Sequence, residues 1–298
     1  MLLEPLRIRE SLVKMLFICL VASAPIMECA AQGPTPTTFA NRTNLLGSTN
    51  FSGVAIGIAD MNGDGRDDIV RYNQGTDLNI QYQTDPKDLF DSESIERVSN
   101  NSEWSTAIAD VDGNGYNDII VGGAFNNLKL LYNQNGRDDY INTNIQGSNI
   151  FIQGLNFVDI DGDGHLDIFS CNDVGDNRKF RNNSRGIFSP EPELIDTETV
   201  IPSDNSGNYS SIWTDYDNDE DLDLYISKCK IGANDERDPR RVNALLQNDG
   251  NNNFTEVAGS AGIDIGAQTW TSDFADIDND GDLDLFVANH FSLSLIHI

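Results

Sequence analysis

The sequence predicts an all-β fold, a β-propeller of four-stranded blades. Three observations carry that reading. A nine-residue acidic segment occurs five times, with starts 50, 49, 56 and 61 residues apart. Each copy lies between two short runs of β-branched and aromatic residues, the pattern of strands bounded by turns. No segment has a convincing helical period. Four short strands per repeat, at this period, read as propeller blades that bury their faces against their neighbours.

The composition is compatible with that fold. The chain has 298 residues, with 48 Asp and Glu against 19 Lys and Arg, for a net charge of −29. This excess excludes a nucleic-acid binder, which needs a basic face for phosphate. It also argues against docking on anionic lipid. Hydrophobic residues make up 39% of the chain, enough to bury a core rather than leave it disordered. Four Cys are too few for a disulfide-stapled scaffold.

The first element, residues 1–31, reads as a secretory signal. Arg7, Arg9 and Lys14 precede a short apolar run at 15–26, and small residues follow Cys29. That run is too short to span a bilayer. A buried N-terminal helix is the alternative. Residues 32–48 read as a linker or first strand, and 49–292 as the propeller. The last six residues, LSLIHI at 293–298, resemble a translated sequencing adapter, so the natural chain is expected to continue past about Ser292. A genuine terminal strand is the alternative.

The five acidic segments are DMNGDGRDD at 60–68, DVDGNGYND at 110–118, DIDGDGHLD at 159–167, DYDNDEDLD at 215–223 and DIDNDGDLD at 276–284. Position 1 is Asp60, Asp110, Asp159, Asp215 and Asp276. Position 3 is Asn62, Asp112, Asp161, Asp217 and Asp278. Position 5 is Asp64, Asn114, Asp163, Asp219 and Asp280. Position 9 is Asp68, Asp118, Asp167, Asp223 and Asp284. Hard oxygens on alternate residues of a tight loop converge on one point, which suits Ca2+ with its six to eight oxygen ligands. Position 7 would add a backbone carbonyl, from Arg66, Tyr116, His165, Asp221 and Asp282. Gly at position 6 permits the sharp turn in every copy but the fourth, which has Glu220.

Without a cation such a loop is costly. Two carboxylates about 4 Å apart repel by roughly 4 kcal/mol at an effective dielectric of 20. Metal-free Asx turns explain the Gly and Asn residues but not so many acids aimed inward. Up to five structural Ca2+ ions are expected, with weaker sites where Asn62 and Asn114 replace acids. These loops are not EF-hands, because position 12 holds no Glu and the flanks read as strands.

The remaining elements follow in order. First strands precede the loops at 54–59, 105–109, 154–158, 211–214 and 272–275. Second strands follow them at 69–70, 119–121, 168–169, 224–226 and 285–287. Third strands read at 78–82, 128–132, 178–181 and 242–246. An Asn/Gly turn and a short apolar piece then supply a fourth, as at 248–254. The insert at 231–241 reads as a surface loop with solvated Arg237, Arg240 and Arg241.

These loops, with apolar residues after the last Asp, resemble the FG-GAP/VCBS repeats of secreted β-propellers, including integrin α-chain propellers. The segment NALLQNDGNNNFTEVAGSAGI from Asn243, followed by DFADIDNDGDLDLFVAN from Asp273, is similar to repeats of the cartilage-acidic-protein and ASPIC/UnbV-type group. The resemblance covers residues 50–290. It implies seven blades in a full-length protein, of which about five are visible here with the fifth cut short. It also implies metal ligation by the Asp and Asn positions named above.

Other chemistry is sparse. Cys171 and Cys229 follow second strands, and either a disulfide or two buried thiols fits them. His165 reads as a surface residue and His290 lies near the end. No Ser–His–Asp arrangement, phosphate loop or HExxH occurs. Trp104, Trp213 and Trp270 sit on or near first strands, as core residues or as a sugar-stacking platform. Asn41, Asn50 and Asn208 begin glycosylation sequons. Two function classes remain. One is a secreted, monomeric, calcium-binding adhesion module for an extracellular protein or glycan, without membrane insertion. The other is a Ca2+-dependent polysaccharide lyase or glycoside hydrolase, for which no catalytic residue stands out.

Overall fold

A computed structural model of the chain describes residues 40–46, 52–73, 77–84, 89–197, 207–290 and 293–296. The expected signal at 1–31, the sequon at Asn50 and His297 lie outside them. The chain divides into Met1–Arg42 and Thr43–Ile298, and only residues 40–42 of the first unit are described.

The second unit is a series of antiparallel meanders. The first blade is β1 (Ser52–Ala59), β2 (Asp68–Asn73), β3 (Leu78–Tyr82) and β4 (Asp91–Ile95). The second is β5 (Glu103–Ala109), β6 (Asp118–Gly123), β7 (Lys129–Asn133) and β8 (Tyr140–Asn144). The third is β9 (Ile152–Val158), β10 (Asp167–Asn172), β11 (Arg178–Asn182) and β12 (Phe188–Pro190). The fourth is β13 (Asn208–Thr214), β14 (Asp223–Lys228), β15 (Ala244–Asn248) and β16 (Phe254–Glu256). The fifth shows three strands among the described residues, β17 (Thr269–Ala275), β18 (Asp284–Asn289) and β19 (Leu293–Ile296). Each acidic segment joins a first strand to a second, as expected. A single helical turn, α1 (Ala258–Ala261), closes on Gly262 at φ 72°. It is too short to leave a period in the sequence.

Successive first strands β1, β5, β9, β13 and β17 pack side by side, which makes them the inner strands of the propeller. The fourth strands β4 and β8 are largely exposed and lie outermost. Second strands are buried along their whole length in the second, third and fourth blades. Strand alternation explains why. Ile119, Val121 and Leu131 pack toward Val70 and Ile80 of the first blade. Ile120 and Leu130 point the other way, toward Ile168 and Phe180 of the third. Phe169 then meets Leu224 and Ile226 of the fourth, and Tyr225 meets Leu285 and Val287 of the fifth. A strand apolar on both faces belongs between two neighbours.

Each first strand begins with a bulge. Trp104, Gln153, Tyr209 and Trp270 are the extra residues in the second to fifth blades. A bulge re-aims its side chain. It turns these residues toward the end of the blades opposite the acidic loops. Trp270 is accordingly half exposed, with its ring stacked on His290 and Tyr209. Trp213, further along β13, packs edge-on to Phe169 and Phe254.

Polar staples join the first three blades. Asn133, at the end of β7, donates from Nδ2 to the Met61 carbonyl in the first acidic loop at 2.9 Å. Asn182, at the end of β11, does the same to the Val111 carbonyl of the second loop at 3.0 Å and to Leu166 at 3.0 Å. Asn182 Oδ1 accepts the Gly186 N–H at 2.9 Å. Asn248, at the equivalent place on β15, reaches only Leu222 at 3.4 Å, and its Oδ1 has no partner.

The insert before β15 is a series of turns with Ile231 fully exposed, but Arg241 is partly buried. Its Nε and Nη1 donate to the Gly266 and Ala233 carbonyls, tying the insert to the next blade. Arg240 forks onto Asp238. Cys171 and Cys229 are both buried thiols rather than a disulfide. Asn208 is fully buried, which closes its sequon to glycosylation.

Asn182→Ala should destabilise the protein by about 2 kcal/mol, because it strands buried backbone groups. Asn248→Ala should cost less than about 1 kcal/mol. Urea unfolding of the two variants reads the difference.

Candidate metal centres

The acidic loops are built from one hydrogen-bond plan. The position-1 carboxylate accepts backbone N–H groups from positions 5 and 6. Asp110 takes Asn114 at 3.1 Å and Gly115 at 2.8 Å, and Asp276 takes Asp280 at 3.1 Å and Gly281 at 3.2 Å. The position-5 side chain accepts the position-7 N–H, as Asn114 does from Tyr116 at 2.8 Å and Asp163 from His165 at 2.9 Å. Together these bonds wrap the loop around its first carboxylate.

The position-9 carboxylate is buried in all five loops. One oxygen accepts the N–H of position 2, as Asp118 does from Val111 at 3.0 Å. The other accepts an N–H at the end of the third strand or just beyond it. Asp68 takes Gln83, Asp118 takes Asn133, Asp167 takes Asn182 and Asp223 takes Asn248, each at 2.8 Å. Burial raises these acids despite the N–H groups that favour their charge. Asp68 and Asp167 are pushed up to about 6, and Asp118 and Asp223 to about 7. The loop carboxylates nearby add to the rise.

Positions 1, 3 and 9 converge. Asp110, Asp112 and Asp118 present oxygens within 4.8 Å of one another, and so do Asp159, Asp161 and Asp167. Asp215, Asp217 and Asp223, and Asp276, Asp278 and Asp284, make the third and fourth triads. The first loop forms no such acidic triad, because Asn62 stands at position 3. The position-5 acids Asp64, Asp163, Asp219 and Asp280 lie outside the triads and are exposed. Asp161 Oδ1 and Asp221 Oδ1 are buried without a hydrogen-bond partner. An all-oxygen donor set with such uncompensated atoms fits a hard divalent cation such as Ca2+. The three triad residues of each loop would hold it.

Two features escape the linear motif. Arg181, on β11, pairs with Asp161, so a guanidinium already serves the third loop as counter-ion. Asn133 and Asn182 were findable as Asn residues 15 positions after the last Asp of their loops. Position 4 also has positive φ throughout, at 74° for Gly63, 75° for Gly113, 71° for Gly162, 61° for Asn218 and 62° for Asn279. At position 6 Glu220 holds φ 75°, where the other loops use Gly at 81° to 98°.

Fold and site together define a β-propeller whose blades carry acidic, cation-competent hairpin loops. The chain belongs to the FG-GAP-like repeat family, whose model matches residues 110–170, 159–226 and 231–287. Among solved structures it is similar to the Vibrio cholerae biofilm matrix protein Bap1, at 16% identity and a TM-score of 0.39, over 67% of this chain and 27% of that one. It therefore spans about a quarter of the length of that protein. A Bifidobacterium bifidum s17 protein titled "putative exo-beta-1,3-galactanase" is similar at 10% identity and a TM-score of 0.46, over 82% of this chain and 91% of that one. No curated protein matches.

Glu220→Gly should stabilise the protein by about 1 kcal/mol, by relieving a left-handed residue with a side chain. Differential scanning calorimetry should show a rise of about 2–4 °C. The raised position-9 acids set a pH dependence. Their contribution to stability is full below the ordinary carboxylate range and is lost as pH climbs through about 6 to 7. In EGTA, the melting temperature should be higher at pH 5 than at pH 8, by about 5 °C or more. Saturating Ca2+ should abolish or reverse that order, because it binds the ionised loops.

Proposed function

We propose that the protein is a secreted, Ca2+-binding propeller that acts as an adhesion or ligand-binding module for an extracellular protein or glycan. The single observation that carries this reading is the recurrence of one carboxylate triad in four successive blades. Four copies of a cation site in one place in the repeat are an architectural device rather than a reaction centre. Extracellular calcium modules bind in the millimolar range or somewhat tighter. At about 10 mM Ca2+ and a dissociation constant near 1 mM, each site contributes about 1.4 kcal/mol.

Several features support the assignment. The acidic loops all occupy one end of the blades and commit that end to cations. The other end carries the long connections and the bulge residues, free to meet a ligand. No helix among the described residues is long and apolar enough to cross a membrane. The net charge of −29 suits a protein that repels nucleic acid and anionic surfaces. The family match names repeats and no catalytic activity. The protein works as a monomeric propeller on this reading.

Ca2+ should raise the melting temperature by about 10 °C or more over EGTA, and calorimetric titration should count about four sites. Retention of the protein on extracellular matrix or whole cells should require Ca2+. An unchanged melting temperature, or retention indifferent to EGTA, would count against the proposal.

A further inference from the structure

A second constellation lies at the end of the blades away from the acidic loops. There the turn between β6 and β7 meets the connection from β4 to β5 around a cavity of about 410 Å3. Its lining is amide-rich, with Asn126, Asn127, Asn142 and Asn144 beside Ser99 and Lys129, and the exposed Arg97 stands at its edge. That volume lies in the range of small-molecule sites.

A buried carboxylate organises this lining. Glu103 is 3% exposed and is the one buried acid among the described residues outside the acidic loops. Its Oε1 accepts Ser99 Oγ at 2.5 Å and Asn126 Nδ2 at 2.9 Å, and its Oε2 has no partner. Lys129, also buried, donates to the Asn126 carbonyl at 3.3 Å and to the Asn127 carbonyl. Glu103 and Lys129 offset each other's charge, so the site pairs many neutral hydrogen-bonding groups with one exposed cation, Arg97.

An aromatic cluster outside the lining begins one residue before Asn126. Phe125 immediately precedes Asn126, is 57% exposed and sits at φ 49°. A bulky residue in that region is strained, and here the strain holds an apolar ring in water. The Phe125 ring lies edge-on to Phe151 at 5.5 Å, and Phe151 packs on the bulge residue Trp104 at 5.6 Å. Amides beside an exposed ring match the two sides of a sugar, its hydroxyls and its C–H face. A charge of −29 on the whole chain disfavours a polyanionic glycan.

We propose that this cavity binds a neutral sugar residue of a glycan, with its ring on Phe125 and its hydroxyls on the amides of Asn126, Asn127 and Asn144. The inference rests on the ligand-binding reading above and gives it a ligand class and a place.

The test titrates the whole chain, in Ca2+, with hexasaccharides of glucose, galactose and mannose, and with uronate hexasaccharides. At least one neutral oligosaccharide should bind. Phe125→Gly, which also relieves the positive φ, should weaken that binding at least tenfold, and Asn144→Ala at least threefold, with neither melting temperature below that of the parent protein. Absence of neutral binding, preference for uronates, or affinity unaltered in both variants would overturn the site. Ca2+-dependent retention on cells or matrix that persists without any neutral-sugar binding would overturn this inference and leave the module reading intact. Loss of both would overturn both.

Discussion

The buried carboxylate at the ninth position of each acidic loop is the constraint on which the rest of the structure depends. It is withdrawn from water, yet both oxygens accept backbone N–H groups in the first four blades. One bond pins the start of the loop and the other pins the third-strand end of the same blade. A single side chain therefore holds a hairpin and a strand in register. The cost of burying Asp68, Asp118, Asp167 and Asp223 appears as their raised affinity for protons. Two further acids brought beside it would aggravate that cost, and a divalent cation answers all three.

Blade packing follows from a second, simpler rule. A second strand such as β6 is apolar on both faces, so each blade buries one face against the preceding neighbour and one against the following. The position-9 acids sit at the base of these strands, where the apolar sandwich meets the polar loop. Asn133 and Asn182 extend the same polar layer across two blade junctions. At the junction of the third and fourth blades the staple is missing, and a 3-10 turn at Pro192–Leu194 brings Leu194 and Ile195 into the apolar cluster instead. Asn252 Nδ2, in the fourth blade, donates to the Leu194 carbonyl at 2.8 Å, so this junction gains apolar burial and keeps a polar tie at a different place.

The two ends of the propeller have different chemistry for a topological reason. A four-stranded meander places its first turn at one end and its second turn, with the link to the next blade, at the other. All five acidic segments are first turns, so cation chemistry is confined to one end. Bulges at the opposite end place Trp104, Tyr209 and Trp270 there, and of the three Trp270 is the exposed one. Neither segregation is a property of any single repeat; both arise from stacking repeats in phase.

The sequence by itself determined the strand–loop–strand unit, the blade count within the described residues and the identity of the clustered acids. These are local properties, set by alternation, turn chemistry and spacing. Only the tertiary structure decided which acids meet. Positions 1, 3 and 9 converge while position 5 turns back onto its own backbone, because loop curvature, not residue type, aims each carboxylate. It also decided that Glu220 adopts a glycine-like conformation, that Arg241 ties two blades together and that Glu103 is buried beside an amide-lined cavity. The last two depend on partners more than 20 residues away, Gly266 for Arg241 and Asn126 for Glu103, brought together by the packing of the chain, which no repeat motif encodes.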